Sequence, residues 1–186
     1  DYILRHPDIA WNLRELPEPP QRTIQLRDIL ERLPESSSFW WSTSRVEYLI
    51  RQMSAKHHAE LEALKRRSSW TYGTVFRRVR NGRSMAELRT DGVAGCLRTP
   101  RGGSGRQILV QAGHGVVKAR LLTPRECARL MGADGFRIDT SLNKALFGFG
   151  DAVCVSVVSW LARNYLNPLA EELLGSKRCV VSSGAV

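Results

Sequence analysis

The chain has 186 residues, of which 42% are hydrophobic and 25% charged, a balance that excludes a disordered tract and leaves room for one core, or one with part of a second. Its 28 Lys and Arg against 18 Asp and Glu give a net charge of +10, which favours a polyanionic partner, nucleic acid first. No apolar run long enough for a bilayer and no signal peptide are read in it, so no membrane partner is expected.

In chain order, residues 1–36 read as a short extended piece, a Pro-rich connection and a helix. Leu16-Pro17-Glu18-Pro19-Pro20 is incompatible with a helix. Thr23 is placed to cap a helix through Ile24, Leu26, Ile29, Leu30 and Leu33 that Pro34 ends. A second, continuous helix is predicted from about Thr43 to Arg67, because Val46, Leu49, Ile50, Met53, His57, Leu61 and Leu64 recur at helical spacing. His57 and His58 are adjacent and face different ways, so the pair suggests no metal site.

Residues 68–118 change character. Short β-type runs (TYGTVFRRVR, NGRSMAEL, GVAGCLRT, RQILVQ, GVVKARLL) alternate with turns, and Asn81-Gly82 is a hairpin signal. Arg77, Arg78, Arg80, Arg83, Arg89, Arg98, Arg101 and Arg106 stand there against Glu87 and Asp91, a platform suited to phosphate and base-edge contacts. Within it, Arg98-Thr99-Pro100-Arg101-Gly102-Gly103-Ser104-Gly105-Arg106-Gln107 combines bare backbone with Arg and Gln, which can donate bidentate pairs to guanine and adenine edges. A solvated basic loop is the plainer alternative.

The stretch from Arg120 to Val158 follows. Thr123 is an N-cap, Pro124 takes the first helical position and Glu126, three after Thr123, completes a capping box. Leu122, Cys127, Leu130 and Met131 give an apolar side, and Gly132 stops the helix. Such a helix serves any globular protein. Phe147-Gly148-Phe149-Gly150-Asp151 reads as a tight turn, and the apolar run after it as a helix from about Ala152. A Gly pair before a helix start lets backbone approach a ligand closely.

The order of these pieces, RLLTPRECARLMG and then FGDAVCVSVV, resembles the two closing motifs of the DNA cytosine-5 methyltransferases: a Leu-Thr-Pro-Arg-Glu-x-x-Arg-Leu-x-Gly helix, and a Gly-Asn-(Ser/Ala)-Val turn and helix that completes the S-adenosylmethionine pocket. GVAGCLRTPRGGSG, followed by an Ile-Leu-Val strand, is similar to the core of that family's target-recognition domain, with Cys96 where a Thr is usual. Asp151 stands for the family's Asn, Phe147-Gly148 for its Lys-Gln, and Ala133-Asp134-Gly135 for its Phe-Pro-Asp. In the family, a Pro-Cys loop supplies the nucleophile and a Glu-Asn-Val motif holds the flipped base; neither occurs in this sequence. Cys127 lies on the helix's apolar side and reads as a packing residue. Cys96, Cys127, Cys154 and Cys179 have no Cys-x-x-Cys spacing, so free thiols in a reducing cytoplasm are the simplest reading.

The resemblance implies an α+β chain: a small β-rich, Arg/Gly-rich target-recognition subdomain, plus C-terminal helices that complete the doubly wound α/β methyltransferase domain. It assigns 1–67 to a linker and helices joining the catalytic domain, 68–118 to recognition, 119–174 to the closing motifs and 175–186 to a flexible tail. The cofactor, S-adenosyl-L-methionine, would meet Gly150, Asp151, Ala152 and Val153. Double-stranded DNA would meet Arg78, Arg80, Arg98, Thr99, Arg101, Gly102, Gly103, Ser104, Arg106 and Gln107. Thr123, Arg125 and Glu126 would be structural, with Arg125 tying helix to recognition domain. The catalytic Cys is expected on a partner chain or on upstream residues, since the first residue is Asp and a split enzyme or a fragment fits. A cytoplasmic, prokaryotic or phage-type setting, such as restriction-modification or phage defence, is expected. The alternative is a non-catalytic DNA-binding module. A third reading, RNA binding with bases stacked on Trp40, Trp41, Trp70 or Tyr72, ranks last.

Overall fold

The structure is a computed structural model that describes residues 2–99 and 106–182, with side chains to Gly175. The chain divides into two compact units, Arg22–Val155 in one, and Asp1–Gln21 with Ser156–Val186 in the other. Helices and a small antiparallel sheet together make it an α+β chain.

The unit Arg22–Val155 is built on strands β1 (Thr71–Arg80), β2 (Arg83–Arg89), β3 (Ile108–Gly113) and β4 (Val116–Leu121), in the order β2-β1-β3-β4. The hairpin at Asn81-Gly82 forms as predicted, with both residues at positive φ (50° and 72°), as a two-residue primed turn requires. His114-Gly115 closes the β3–β4 hairpin in the same way, with φ of 52° and 78°. The run GVAGCLRT, expected to contain a short strand, has none over Gly92–Thr99. Its backbone is fastened from outside instead: Leu26 N–H donates to Gly92 O at 2.8 Å and Thr74 Oγ1 to Val93 O at 3.4 Å.

Period-two alternation sends alternate side chains to the two faces of the sheet. Val75, Ile108, Val110, Ala112, Ala119, Ala86 and Leu88 pack on helices α3 (Thr43–Arg51) and α4 (Ala55–Lys65) through Val46, Leu49, Leu61 and Leu64. The register row Thr74–Leu109–Arg120 crosses the other face. There Leu109 packs with α2 (Leu26–Ile29), α5 (Pro124–Leu130) and α6 (Leu142–Asp151) through Leu26, Ile29, Leu122, Cys127, Ala128, Ala145, Leu146 and Phe149.

Several predicted boundaries move. The single helix over Thr43–Arg67 is two helices. The chain breaks at Gln52–Ser54 because Gln52 O accepts from Ala86 N–H at 3.0 Å and Met53 bridges to Ala86, extending the edge of β2; Ser54 then caps α4. The helix expected from Thr23 to Leu33 is only Leu26–Ile29, capped by Gln25 with Asp28, and Leu30 is already extended, which frees the Glu31 N–H for a distant carboxylate described below. The Phe-Gly-Phe-Gly-Asp segment is not a turn: it forms the last part of α6, the chain is extended at Ala152, and helix α7 (Val155–Leu161) starts three residues later than expected.

In the other unit, the start is a helical turn, α1 (Tyr2–Arg5), rather than an extended piece, while the Pro-rich connection carries no helix, as predicted. The residues after α7 pass through a π-helical turn, Ala162–Leu166, into α8 (Asn167–Ser182), which runs into the tail expected to be flexible from Gly175. Arg14 grips Glu172 with two nitrogens at 2.9 and 2.6 Å, and Tyr165 Oη donates to Asn12 O at 2.9 Å. Against the expectation of no apolar run long enough for a bilayer, Leu142–Gly175 is long and apolar enough by length and composition alone, with 17% of its most apolar window buried, although the helix is interrupted between Asp151 and Val155.

Candidate DNA-recognition and cofactor-closing site

The capped helix organises the site. In α5 the Thr123 Oγ1 accepts from Glu126 N–H at 3.1 Å, and Glu126 Oε2 accepts from Thr123 N–H at 2.8 Å, the reciprocal box the spacing predicts. Glu126 does more than cap. It is fully buried, and Arg120 of β4, 1% exposed, meets it with Nη1 at 2.6 Å and Nη2 at 2.5 Å. Glu31 N–H also donates to Glu126 Oε1 at 2.8 Å, while Thr123 Oγ1 donates to Glu31 Oε2 at 2.5 Å. One carboxylate thus joins the sheet, α5 and the chain leaving α2. Four accepted hydrogen bonds offset the cost of burying its charge.

Arg125 does not make the tie expected of it. Its Nη1 donates to the carbonyls of Asp134 and Phe136, so it bends the loop after α5 back onto the helix. The link between sheet and helix belongs to Arg120. Only the spacing was available in sequence, with Arg120 six residues before the box glutamate; its place in the row of Leu109 comes from the strand register.

Cys127 is buried beside Glu126. Burial, and then the neighbouring negative charge, push its thiol up to about 12, so it stays protonated at neutral pH and is no nucleophile.

The residues expected to contact DNA fall into three groups. Pro100, Arg101, Gly102, Gly103, Ser104 and Gly105 lie outside the described residues. Arg98 and Arg80 are exposed, and half-buried Arg78 reaches across to Glu87 of β2 at 2.5 Å and lies over the Phe76 ring. Gln107 is turned inward: it is 5% exposed and its Nε2 donates to Cys96 O at 3.1 Å. In place of the expected base contact it supports the Cys96 backbone, because β3 begins at Ile108 and draws the preceding side chain into the core.

The described ends of residues 98–107 both rest on α6. Thr99 Oγ1 donates to Asp151 Oδ1 at 2.7 Å, and Arg106 Nη2 to Asn143 Oδ1 at 2.8 Å. At Gly150 a Cβ would stand 2.5 Å from both Arg98 C and Thr99 N. The close backbone approach expected there exists, but its partner is this chain's own Arg98–Thr99 peptide.

Asp151, Ala152 and Val153 follow at the end of α6, exposed, with Val153 at 66%. Beside them a largely apolar hollow of about 320 Å³ is lined by Met131, Phe136, Ile138, Phe149, Ala152 and Val153, with Asp139 and Lys144 also bordering it. A flat apolar group with polar edges, such as a nucleoside, fits such a lining. The tryptophans considered for base stacking are already faced by cations: Arg45 lies 3.9 Å from the Trp41 ring centre, Arg120 5.2 Å from Trp40 and Lys118 5.6 Å from Trp70. Tyr72 packs against the second core.

The model of the C-5 cytosine-specific DNA methylases matches residues 5–167. The chain belongs to that family, whose members act on DNA and are generally dependent on S-adenosylmethionine. No curated protein matches it.

Proposed function

We propose that this chain is the recognition and closing part of a DNA (cytosine-5-)-methyltransferase. It reads double-stranded DNA through residues 68–118 and closes the S-adenosylmethionine pocket through residues 119–174. Residues 1–67 join it to the catalytic part, which holds the nucleophilic Cys on a second chain or upstream. The observation that carries this reading is the open apolar hollow beside Ala152 and Val153, at the end of the helix whose other contacts hold the recognition segment.

Asp151, Ala152 and Val153 would hold the cofactor, which supplies the methyl group when bound. Gly150 supports them indirectly, since its open side is filled by Arg98–Thr99. Arg98, Arg101 and Arg106 would carry the base and phosphate contacts, with Arg78 and Arg80 on the sheet beside them. Exposed Val153 and Val155 on one unit, and Val157, Leu166, Leu173 and Leu174 on the other, are apolar side chains that a catalytic half would cover. A restriction-modification or phage-defence setting suits this role.

A radiolabelled methyl-transfer assay tests the proposal. The expected result is no transfer by this chain alone and sequence-dependent transfer once a catalytic half is added. Transfer by the chain alone would overturn it. So would addition of the half without any gain in transfer. Arg106→Ala should relax preference at one base position; equal loss on every duplex would make Arg106 a phosphate contact only.

A further inference from the structure

Three separate features join the recognition segment to α6. The first is the Thr99–Asp151 hydrogen bond at its last turn, the second the Arg106–Asn143 hydrogen bond at its first turn. The third is Gly150, where any side chain would strike the Arg98–Thr99 backbone at 2.5 Å. Asn143 and Asp151 are eight residues apart, which places the two anchors about 12 Å apart along the helix. Neither hydrogen bond is local, with partners 37 and 52 residues distant in the chain. Nothing in the strand pairing requires them, because the register of β3 is already fixed by β1 and β4.

We infer that Asn143, Gly150 and Asp151 are positioning residues for sequence discrimination, with α6 acting as the base on which both ends of the recognition segment are held. This rests on the reading of residues 98–107 as the DNA contact. A specific complex needs both ends of the segment in one place, so anchors that hold Thr99 and Arg106 before DNA arrives remove part of the ordering cost. Non-specific attraction of arginines to phosphates needs no such arrangement. Loss of an anchor therefore lowers affinity for the target duplex and leaves affinity for other duplexes as it was. The hydroxyl of Thr99 requires only an oxygen acceptor on residue 151, whereas the peptide against Gly150 requires the absence of any side chain.

The test uses the complete methyltransferase and measures binding to a target duplex and to a scrambled duplex at one salt concentration, by fluorescence anisotropy. Thr99→Val and Asn143→Ala should each lower the target-to-scrambled ratio about fivefold, the equivalent of one net hydrogen bond. For Asn143→Ala, binding to the scrambled duplex and its salt dependence should stay as in the unaltered protein. Thr99→Ser, which keeps the donor, should preserve the ratio, and Gly150→Ala should lower it further than either. Unchanged ratios in Thr99→Val and Asn143→Ala, or equal loss on both duplexes, would overturn the inference. If the unaltered enzyme shows no preference at all, the recognition reading itself fails. The anchoring is then judged by thermal unfolding of Thr99→Val, Asp151→Ala and the double variant: non-additive shifts in Tm uphold it, and additive shifts overturn it.

Discussion

The two faces of the small sheet are built on different physics. On one, α3 and α4 close over Val75, Ile108 and Val110 with apolar side chains. On the other, Leu109 shares its row with Thr74 and Arg120, and a buried carboxylate joins three elements. The apolar face holds the sheet together, and many hydrophobic residues of similar size could do that. The polar face fixes where α5 goes, and so where α6 with its contacts to Thr99 and Arg106 goes, because an ion pair with four directed hydrogen bonds has only one good geometry.

The comparison can be broken most forcefully at Glu126. Glu126→Ala leaves Arg120 buried and unpaired, and should cost about 3–5 kcal/mol in urea unfolding. It should also release α5, so that Cys127 becomes reactive to thiol reagents under conditions where the unaltered chain protects it. Leu61→Ala strikes the other face and should cost about 2–5 kcal/mol by the same measurement. Cys127 should then react only through global unfolding. Early Cys127 reactivity in Leu61→Ala would mean that the two faces are not independent.

Smaller changes sharpen the same contrast. Thr123→Ala removes the N-cap and the bond to Glu31, and should cost about 1–2 kcal/mol in urea unfolding. The smallest effect is expected at Lys118. Its hydrogen bond to Glu35, and then its charge, hold the Glu35 carboxyl below the ordinary value of 4.5. The folded state therefore binds fewer protons there than the unfolded one. That contribution is present above the ordinary value and fades as pH falls through the lowered one. Lys118→Ala should lower the neutral plateau slightly and leave stability in acid unchanged, so that the acid side of the profile is a little flatter in thermal melts at low salt; the effect is small because Glu35 is at the surface.

The capping box at Thr123–Glu126 and the hairpin at Asn81-Gly82 were legible in the sequence because each is settled within four residues. The strands on either side of that hairpin were legible for the same reason. The family was legible too, from a helix motif and a closing motif in the right order, and the match over residues 5–167 bears it out.

What the sequence by itself determined was the set of local elements and the chemistry they carry: a capped helix, a basic β platform and an apolar closing run. What only the tertiary structure decided was how those elements grip one another. Glu31 meets Glu126 across 95 residues and Thr99 meets Asp151 across 52; the Arg98–Thr99 backbone fills the space at Gly150, and Gln107 turns inward against Cys96. Hydrogen bonds and close backbone contacts of that kind depend on where two distant segments come to lie, and no pattern of neighbouring residues encodes that distance.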